Sequence, residues 1–295
     1  MRVNPDPMPD LLAALNQTEL QTQRDELELS TGSDVNQPSD NPLAAALLIE
    51  NNDQATFNAS YLQSLNTING QLSTADSTLS SVETTLQQAI SLGIEGANGT
   101  LSASDRTDIA QELQGIQSQL ISLANTSYEG NYLFGGTETT APPYAASSSD
   151  PSGVTYNGNS GVNKVSVGNG YQIEVNLPGS QLFSAAGNNV FLALNNLITA
   201  MQSNSDIASA TNGLSSASDY LTAQRVFYGN SMDQVQSQTT YLDTAKQQIA
   251  AQQTSLGAAD MATAATNLSM AQTDEQAAME AISKLSQNTL FDYLR

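Results

Sequence analysis

Residues 61–93 read YLQSLNTINGQLSTADSTLSSVETTLQQAISLG, and the spacing of their apolar side chains decides the fold class. Tyr61, Leu65, Ile68, Leu72, Ala75, Leu79, Val82, Leu86 and Ala89 follow in steps of four and three. That is a stripe with a mean period of about 3.5 residues, sustained for roughly four heptads. A helix from Phe57 to Ile94 spans roughly 57 Å at ~1.5 Å per residue. So long a helix with so narrow a stripe cannot bury it on itself. It requires partners.

The same chain supplies them. After Gly96-Ala97-Asn98-Gly99-Thr100, Ser102 and Asp105 form a capping-box pattern, and Ile109, Leu113, Ile116, Leu120 and Leu123 repeat the four–three spacing. The short Gly-containing link predicts an antiparallel helical hairpin. Downstream, Leu221, Tyr228, Val235, Leu242, Ile249 and Leu256 recur every seven residues and predict a third long helix. Leu12 and Leu15 lie on one stripe of a helix from Leu11 to Leu29, which ends at the turn Ser30-Thr31-Gly32-Ser33. Asn41 is suited to cap a helix from Pro42 to Asn52, with Pro42 at its first position, where the missing N–H costs nothing. From Ala258 on, Met261, Ala265, Leu268, Met279, Ile282 and Leu285 mark a further amphipathic helix with an Ala-rich contact face. It runs into the apolar ending Leu290-Phe291-Asp292-Tyr293-Leu294.

The middle differs. Ala141-Pro142-Pro143 breaks the helical register, and residues 147–161 are rich in Ser, Gly, Asn and Pro. Val165 and Val167, then Tyr171, Ile173 and Val175, alternate around Gly168-Asn169-Gly170 and predict a β-hairpin. Asn188 to Ser203 returns to helix through Leu194, Leu197, Ile198 and Met201. The expected fold class is mainly α: a long antiparallel coiled-coil or helical bundle built from both the N- and C-terminal segments, with a small inserted β-containing domain. The expected domains are a terminal helical region (1–52 and 257–295), a long-helix bundle (53–140 and 204–256) and an inserted β-rich domain with one helix (141–203). The bundle seam comprises Leu65, Ile68, Leu72, Leu79, Val82, Leu86, Ile109, Leu113, Ile116, Leu120, Leu123, Val235, Leu242 and Ile249. The terminal stripes Leu12, Leu15, Leu268, Met279, Ile282, Leu285, Leu290, Phe291 and Tyr293 are read as an assembly interface.

Composition narrows function. The chain of 295 residues has 39% apolar residues, no Trp, and a net charge of −21 from 29 acidic and 8 basic residues. Arg2, Arg24, Arg106, Lys164, Arg225, Lys246, Lys284 and Arg295 are scattered, so no cluster matches a run of phosphates, and neither nucleic acid nor an anionic membrane is an expected partner. Cys and His are absent, which removes thiol nucleophiles, imidazole triads and Cys/His zinc sites. The start, Met1-Arg2-Val3-Asn4-Pro5-Asp6-Pro7, lacks an apolar signal core, and no run of 18 apolar residues occurs, so no membrane insertion is expected, and if the chain leaves the cell it does so without a cleavable signal.

Candidate chemistry does not converge. Gly130-Asn131-Tyr132-Leu133-Phe134-Gly135-Gly136-Thr137 is one substitution from a phosphate-binding loop, but Gly136 stands where Lys is needed, and a helix precedes it where a strand should. Gly130 is read instead as the cap of that helix. Asp108 with Glu112, and Asp274 with Glu275, lie on polar helix faces with no second converging group. No catalytic residue, metal site or cofactor is expected.

Several segments together resemble the bacterial flagellin superfamily. They are Pro38-Ser39-Asp40-Asn41-Pro42-Leu43-Ala44-Ala45-Ala46, the stretch from Ala97 through Ile109-Ala110-Gln111-Glu112-Leu113 to Asn125-Thr126, residues 130–137 with Pro142-Pro143-Tyr144, and the C-terminal stretch from Asp260 to Leu294. Their order covers nearly the whole chain outside the insertion. The Phe134-Gly135-Gly136-Thr137 segment and the Phe291-Asp292-Tyr293-Leu294 ending are similar to the superfamily's hook–filament junction branch rather than to filament flagellins. The stretch Ser30 to Asn36 resembles the superfamily's Ser-Gly-Lys-Arg-Ile motif but lacks its basic pair.

The resemblance implies a non-enzymatic structural subunit of the flagellum, an extracellular adaptor between the hook side and the filament. It implies as partners copies of itself in a ring, hook-associated protein 1, flagellin, and an export chaperone before type III secretion. It places both termini in the inner layer of the tube, ordered only on assembly. The alternatives are a minor filament flagellin or, from another class, a soluble coiled-coil binding module such as an export chaperone.

Overall fold

Helix-compatible segments with few internal breakers give long helices. The computed structural model describes residues 8–168 and 170–292, with side chains described through Lys284. Its helices are α1 (Met8–Thr31), α2 (Pro42–Gly96), α3 (Ala103–Ala124), the single turn α4 (Gly179–Leu182), α5 (Val190–Ser203), α6 (Ile207–Gly257) and α7 (Met261–Asp292). The strands form antiparallel pairs: β1 (Ser127–Tyr128) with β2 (Asn131–Tyr132), β3 (Tyr144–Ala146) with β4 (Val154–Tyr156), β5 (Lys164–Ser166) with β6 (Gln172–Glu174), and β7 (Ser184–Ala185) with β8 (Asn188–Asn189). The fold is mainly α, with small antiparallel hairpins between long helices. No helix among the described residues is long and apolar enough to cross a membrane.

Local signals set the helix ends. Asn41 Oδ1 accepts from the Ala44 amide at 3.1 Å and opens α2. Ser102 and Asp105 form a reciprocal capping box on α3, at 3.2 and 3.0 Å. Asp260 accepts from the amides of Ala262 and Thr263 at the start of α7. One expectation is corrected: the segments 42–52 and 57–94 are a single helix. Between them stands Asp53-Gln54-Ala55-Thr56, which contains neither Pro nor Gly, so nothing interrupts the i→i−4 ladder.

The chain divides into two compact units, and both boundaries fall inside helices α2 and α6. The larger, 58–243, has one continuous core. On α2, Leu65, Leu72, Leu79, Val82, Leu86 and Ala89 are fully excluded from solvent. Leu113 and Leu120 of α3, Leu194 and Leu197 of α5, and Leu214, Leu221, Tyr228 and Val235 of α6 join the same cluster. The middle segment is not a separate layer: Phe134, Tyr144, Ile173, Phe183 and Phe191 belong to that core too. Tyr144 meets Phe183 edge-on at 5.7 Å and Phe191 at 5.1 Å. The predicted hairpin is present, with Val165 opposite Ile173 and the ion pair Lys164–Glu174 at its end.

Ser and Thr on the helix flanks spend their hydroxyls internally. On α2, Thr56, Ser64, Thr74, Thr78, Ser81 and Thr85 each donate to the carbonyl four residues earlier. The smaller unit takes residues up to Phe57 and from Thr244 on, and α1 packs extensively along α7 within it. The α1–α2 and α6–α7 connections are tied by Asp34 N–H to Gly257 C=O at 2.8 Å and Ala259 N–H to Gly32 C=O at 3.0 Å.

Leu79→Ala opens a cavity at the centre of the larger core and should lower its unfolding free energy by about 2–5 kcal/mol. Ile94→Ala, at a side chain 66% exposed, should change it by less than about 0.5 kcal/mol. Urea titration followed by circular dichroism checks both.

Candidate assembly interface

The seam residues read from the sequence fall in two places. Leu65, Ile68, Leu72, Leu79, Val82, Leu86, Ile109, Leu113, Ile116, Leu120, Val235 and Leu242 lie in the core of the larger unit, with Leu123 half-buried beside it. Ile249 is buried in the smaller one. There, Leu15, Leu268 and Ile282 are half-buried, while Leu12 and Met279 are exposed. The side chains of Leu285, Leu290 and Phe291, and Tyr293 altogether, lie outside the described residues.

Exposed apolar surface is divided unequally. Leu12, Leu20, Leu27, Leu43, Leu47, Ile49, Phe57, Met261, Met270 and Met279 of the smaller unit stand exposed, against only Ile94, Tyr171, Val226 and Tyr241 of the larger. The smaller unit holds scarcely more than a third of the chain, so the imbalance is a property of its surface and not of its size. On α1 the half-buried or buried positions are Met8, Leu11, Leu15, Thr18, Thr22 and Asp25, in steps of three and four, and then Glu28 and Leu29. On α7 the matching positions are Ala264, Leu268, Ala271, Glu275, Ala278 and Ile282. Small Ala side chains let the two helices approach closely. At ~100° per residue, Leu20 and Leu27 fall on the opposite side of α1 from Thr18 and Asp25. This second apolar stripe has no cover from α7.

Sequence reading missed the polar members of the inner seam. Asp25 occupies a heptad position but reads as a surface residue, and it is 2% exposed. Its Oδ1 accepts from Gln21 Nε2 at 2.9 Å, while Oδ2 has no hydrogen-bond partner. Glu28, one turn on, is held above its ordinary carboxyl pKa by burial, then by the charges of Asp34, Asp25 and Asp260. It was also not foreseen that Arg225 of α6 binds both oxygens of Asp76 (2.6 and 2.9 Å) and Glu83 Oε2 (2.9 Å) on α2. Those partners stand 149 and 142 residues away, beyond any local pattern.

The segment that resembles a phosphate loop is a structural knot. Gly130 does not cap α3, which ends at Ala124 with Asn125 as its C-cap. Glu129 (φ 50°) and Gly130 (φ 82°) instead form the two-residue turn of the β1–β2 hairpin, where both central residues need positive φ. The Gly136 carbonyl accepts from the side-chain amides of Asn163 (3.3 Å) and Asn176 (3.1 Å). A Cβ at Gly135 would collide with the Glu138 carbonyl, so this position requires Gly. Among the described residues, no group of acidic side chains is placed to hold a metal.

Long helices from both ends of one chain, close-packed at the termini and separated by a middle of short hairpins, define a class. The model of the bacterial flagellin N-terminal helical region matches residues 9–139, and that of the C-terminal helical region matches residues 198–294. The chain belongs to the bacterial flagellin family. Within that family the resemblance narrows further. It is 38% identical over 118 residues to flagellar hook-associated protein 3 of Salmonella typhimurium, covering 40% of this chain and 37% of that one. It is 35% identical over 119 residues to the Escherichia coli protein of the same name, covering 40% and 38%. The matches thus span under two fifths of either relative. The fold is shared with the flagellar junction protein of Legionella pneumophila (TM-score 0.59, 13% identity, 72% of this chain and 100% of that one) and with FlgL of Bacillus cereus (0.57, 20%, 70% and 97%).

Because folding raises the Glu28 pKa, its ionisation at neutral pH opposes the α1–α7 pairing. That penalty fades as pH falls through the raised value, and the gain is complete below the ordinary 4.5. Asp260, lowered by its bonds to Thr263 and Ala262, acts oppositely, but only as pH falls below its ordinary 3.8. Lowering pH from about 7 to about 5 should therefore slow amide exchange in α1, after correction for intrinsic rates, and Glu28→Gln should flatten that dependence.

Proposed function

We propose that the chain is a non-enzymatic structural subunit of the bacterial flagellum, the adaptor joining the hook, through hook-associated protein 1, to the flagellin filament. The observation that carries this reading is the contrast between a completed core in the larger unit and uncovered apolar stripes on the terminal one. An exposed apolar patch of that extent marks an interaction surface. The names of the two sequence relatives favour the junction over the filament itself. In this role, copies of the chain form a short ring zone outside the cell. A flagellar chaperone holds the chain before export, and flagellin adds to the finished ring. The mechanism is mechanical: burying helix stripes stiffens the joint, each well-buried Leu contributing about 1.5–3 kcal/mol. Export of an unfolded chain suits a sequence with no disulfides to form.

A flagellated strain without this chain should build hooks and shed flagellin monomers, and restoring the gene should restore filaments. A purified sample that polymerises alone into long filaments would favour a minor flagellin instead. Removal of residues 288–295 should leave a soluble, helical monomer by circular dichroism that no longer enters isolated flagella. Normal attachment of that truncated form would count against the terminal stripe as the interface.

A further inference from the structure

An asparagine followed by glycine can react without any catalyst, because glycine leaves its backbone nitrogen unhindered beside the asparagine side-chain amide. The pair occurs five times in this chain, at Asn69, Asn98, Asn157, Asn169 and Asn212. Asn169 lies outside the described residues, and the fold treats the other four differently. Asn69 and Asn212 sit inside α2 and α6. There each backbone amide is committed to the carbonyl four residues earlier, and side chains tilt toward the helix N-terminus, away from the amide that follows. Asn157 N–H donates to the Pro143 carbonyl at 2.7 Å, and the space beside Gly158 is filled by the Tyr156 hydroxyl and the Gly135 carbonyl.

Asn98 alone combines exposure with a poised geometry. Asn98, Gly99 and Thr100 are all exposed in the link between α2 and α3. The space around Gly99 is open, and its amide donates to no group among the described residues. Asn98 Oδ1 accepts from the Thr100 amide at 3.2 Å and from Thr100 Oγ1 at 2.9 Å, while its Nδ2 has no partner among those residues. We propose that Asn98 is a site of spontaneous deamidation, with Thr100 activating its side-chain carbonyl. The Gly99 nitrogen gives its proton to water and bonds to Asn98 Cγ, and the electron pair moves onto Oδ1. There the two donors of Thr100 stabilise the oxyanion. When the pair returns, the Cγ–Nδ2 bond breaks, and Nδ2 takes a proton from water and leaves as ammonia. One water then opens the cyclic imide at either carbonyl and leaves aspartate or isoaspartate. The product adds a negative charge to a chain that already carries −21. Isoaspartate also lengthens the backbone by one methylene and takes Oδ1 out of reach of Thr100. This inference does not depend on the proposed function.

Incubation of the purified full chain in mildly alkaline buffer, followed by cleavage after glutamate and mass spectrometry, reads the site directly. Cuts after Glu95 and Glu112 isolate Asn98 in residues 96–112, and cuts after Glu50 and Glu83 isolate Asn69 in residues 51–83. In the folded chain the acid form should accumulate at Asn98 at least about tenfold faster than at Asn69, which must wait for its helix to open. In urea the two should react at similar rates, with Asn98 slower than in the folded chain. An amide retained at Asn98 in the folded chain, or a faster reaction there in urea, would overturn the proposal. Gly99→Ala places a methyl in open space, so the helical signal by circular dichroism should be unchanged while the reaction slows at least about tenfold. Thr100→Val, which removes one donor to Oδ1, should slow it by about fivefold, the worth of one hydrogen bond. A rate unchanged or raised by Thr100→Val would overturn the role given to Thr100.

Discussion

The seam of α2 is the constraint on which the rest of the structure depends. A stripe of Leu, Ile, Val and Ala at a mean period of 3.5 residues occupies so little of the helix circumference that one neighbour cannot be optional. Leu65, Leu72, Leu79 and Leu86 reach zero exposure only because α3, α5 and α6 each contribute side chains to the same space. The hairpins between α3 and α5 do not stand apart from this arrangement. Phe134, Tyr144, Phe183 and Phe191 interlock with one another and finish the same core. Arg225 adds a directional element to a largely apolar contact, gripping α2 at two acids seven residues apart.

The terminal unit follows the opposite logic. Its paired helices bring Ala264, Ala271 and Ala278 to the inner seam and leave larger apolar groups, such as Leu20, Leu27 and Met270, on the outside. A monomeric protein gains by the reverse choice. The inner seam also carries the buried Asp25 and, one turn on, Glu28, whose raised pKa opposes pairing at neutral pH. This unit therefore keeps much of its apolar surface for what is added from outside, which suits a segment that completes its packing in an assembly.

Local periodicity made much of this legible. The four–three spacing of residues 65–89 and 109–123, the sevenfold repeat from Leu221 to Ile249, the Ser102/Asp105 box and the Val165/Ile173 hairpin are all short-range patterns, and each corresponds to an element of the fold. What stayed hidden needs either long range or a violated rule. Arg225 finds its acids across about half of the chain. Asp25 is polar at a position where the pattern expects an apolar side chain. Gly130 lies just beyond a helix, where a cap and a hairpin turn both want positive φ, and only the strand pairing that follows distinguishes them. The junction between residues 52 and 57 looks like a gap because its residues are polar, although none of them breaks a helix.

The hydroxyls of α2 carry a consequence for how such surfaces meet. Thr56, Ser64, Thr74, Ser81 and their neighbours turn their protons back onto the carbonyls of the preceding turn. A flank made of these groups is polar in composition, yet its donors are already occupied, so it meets its surroundings chiefly as an acceptor. Two flanks of this kind can slide past one another or come to rest with few specific bonds to break. Register along them is then set by the sparse side chains that protrude, and the smooth stretches between supply tolerance for bending.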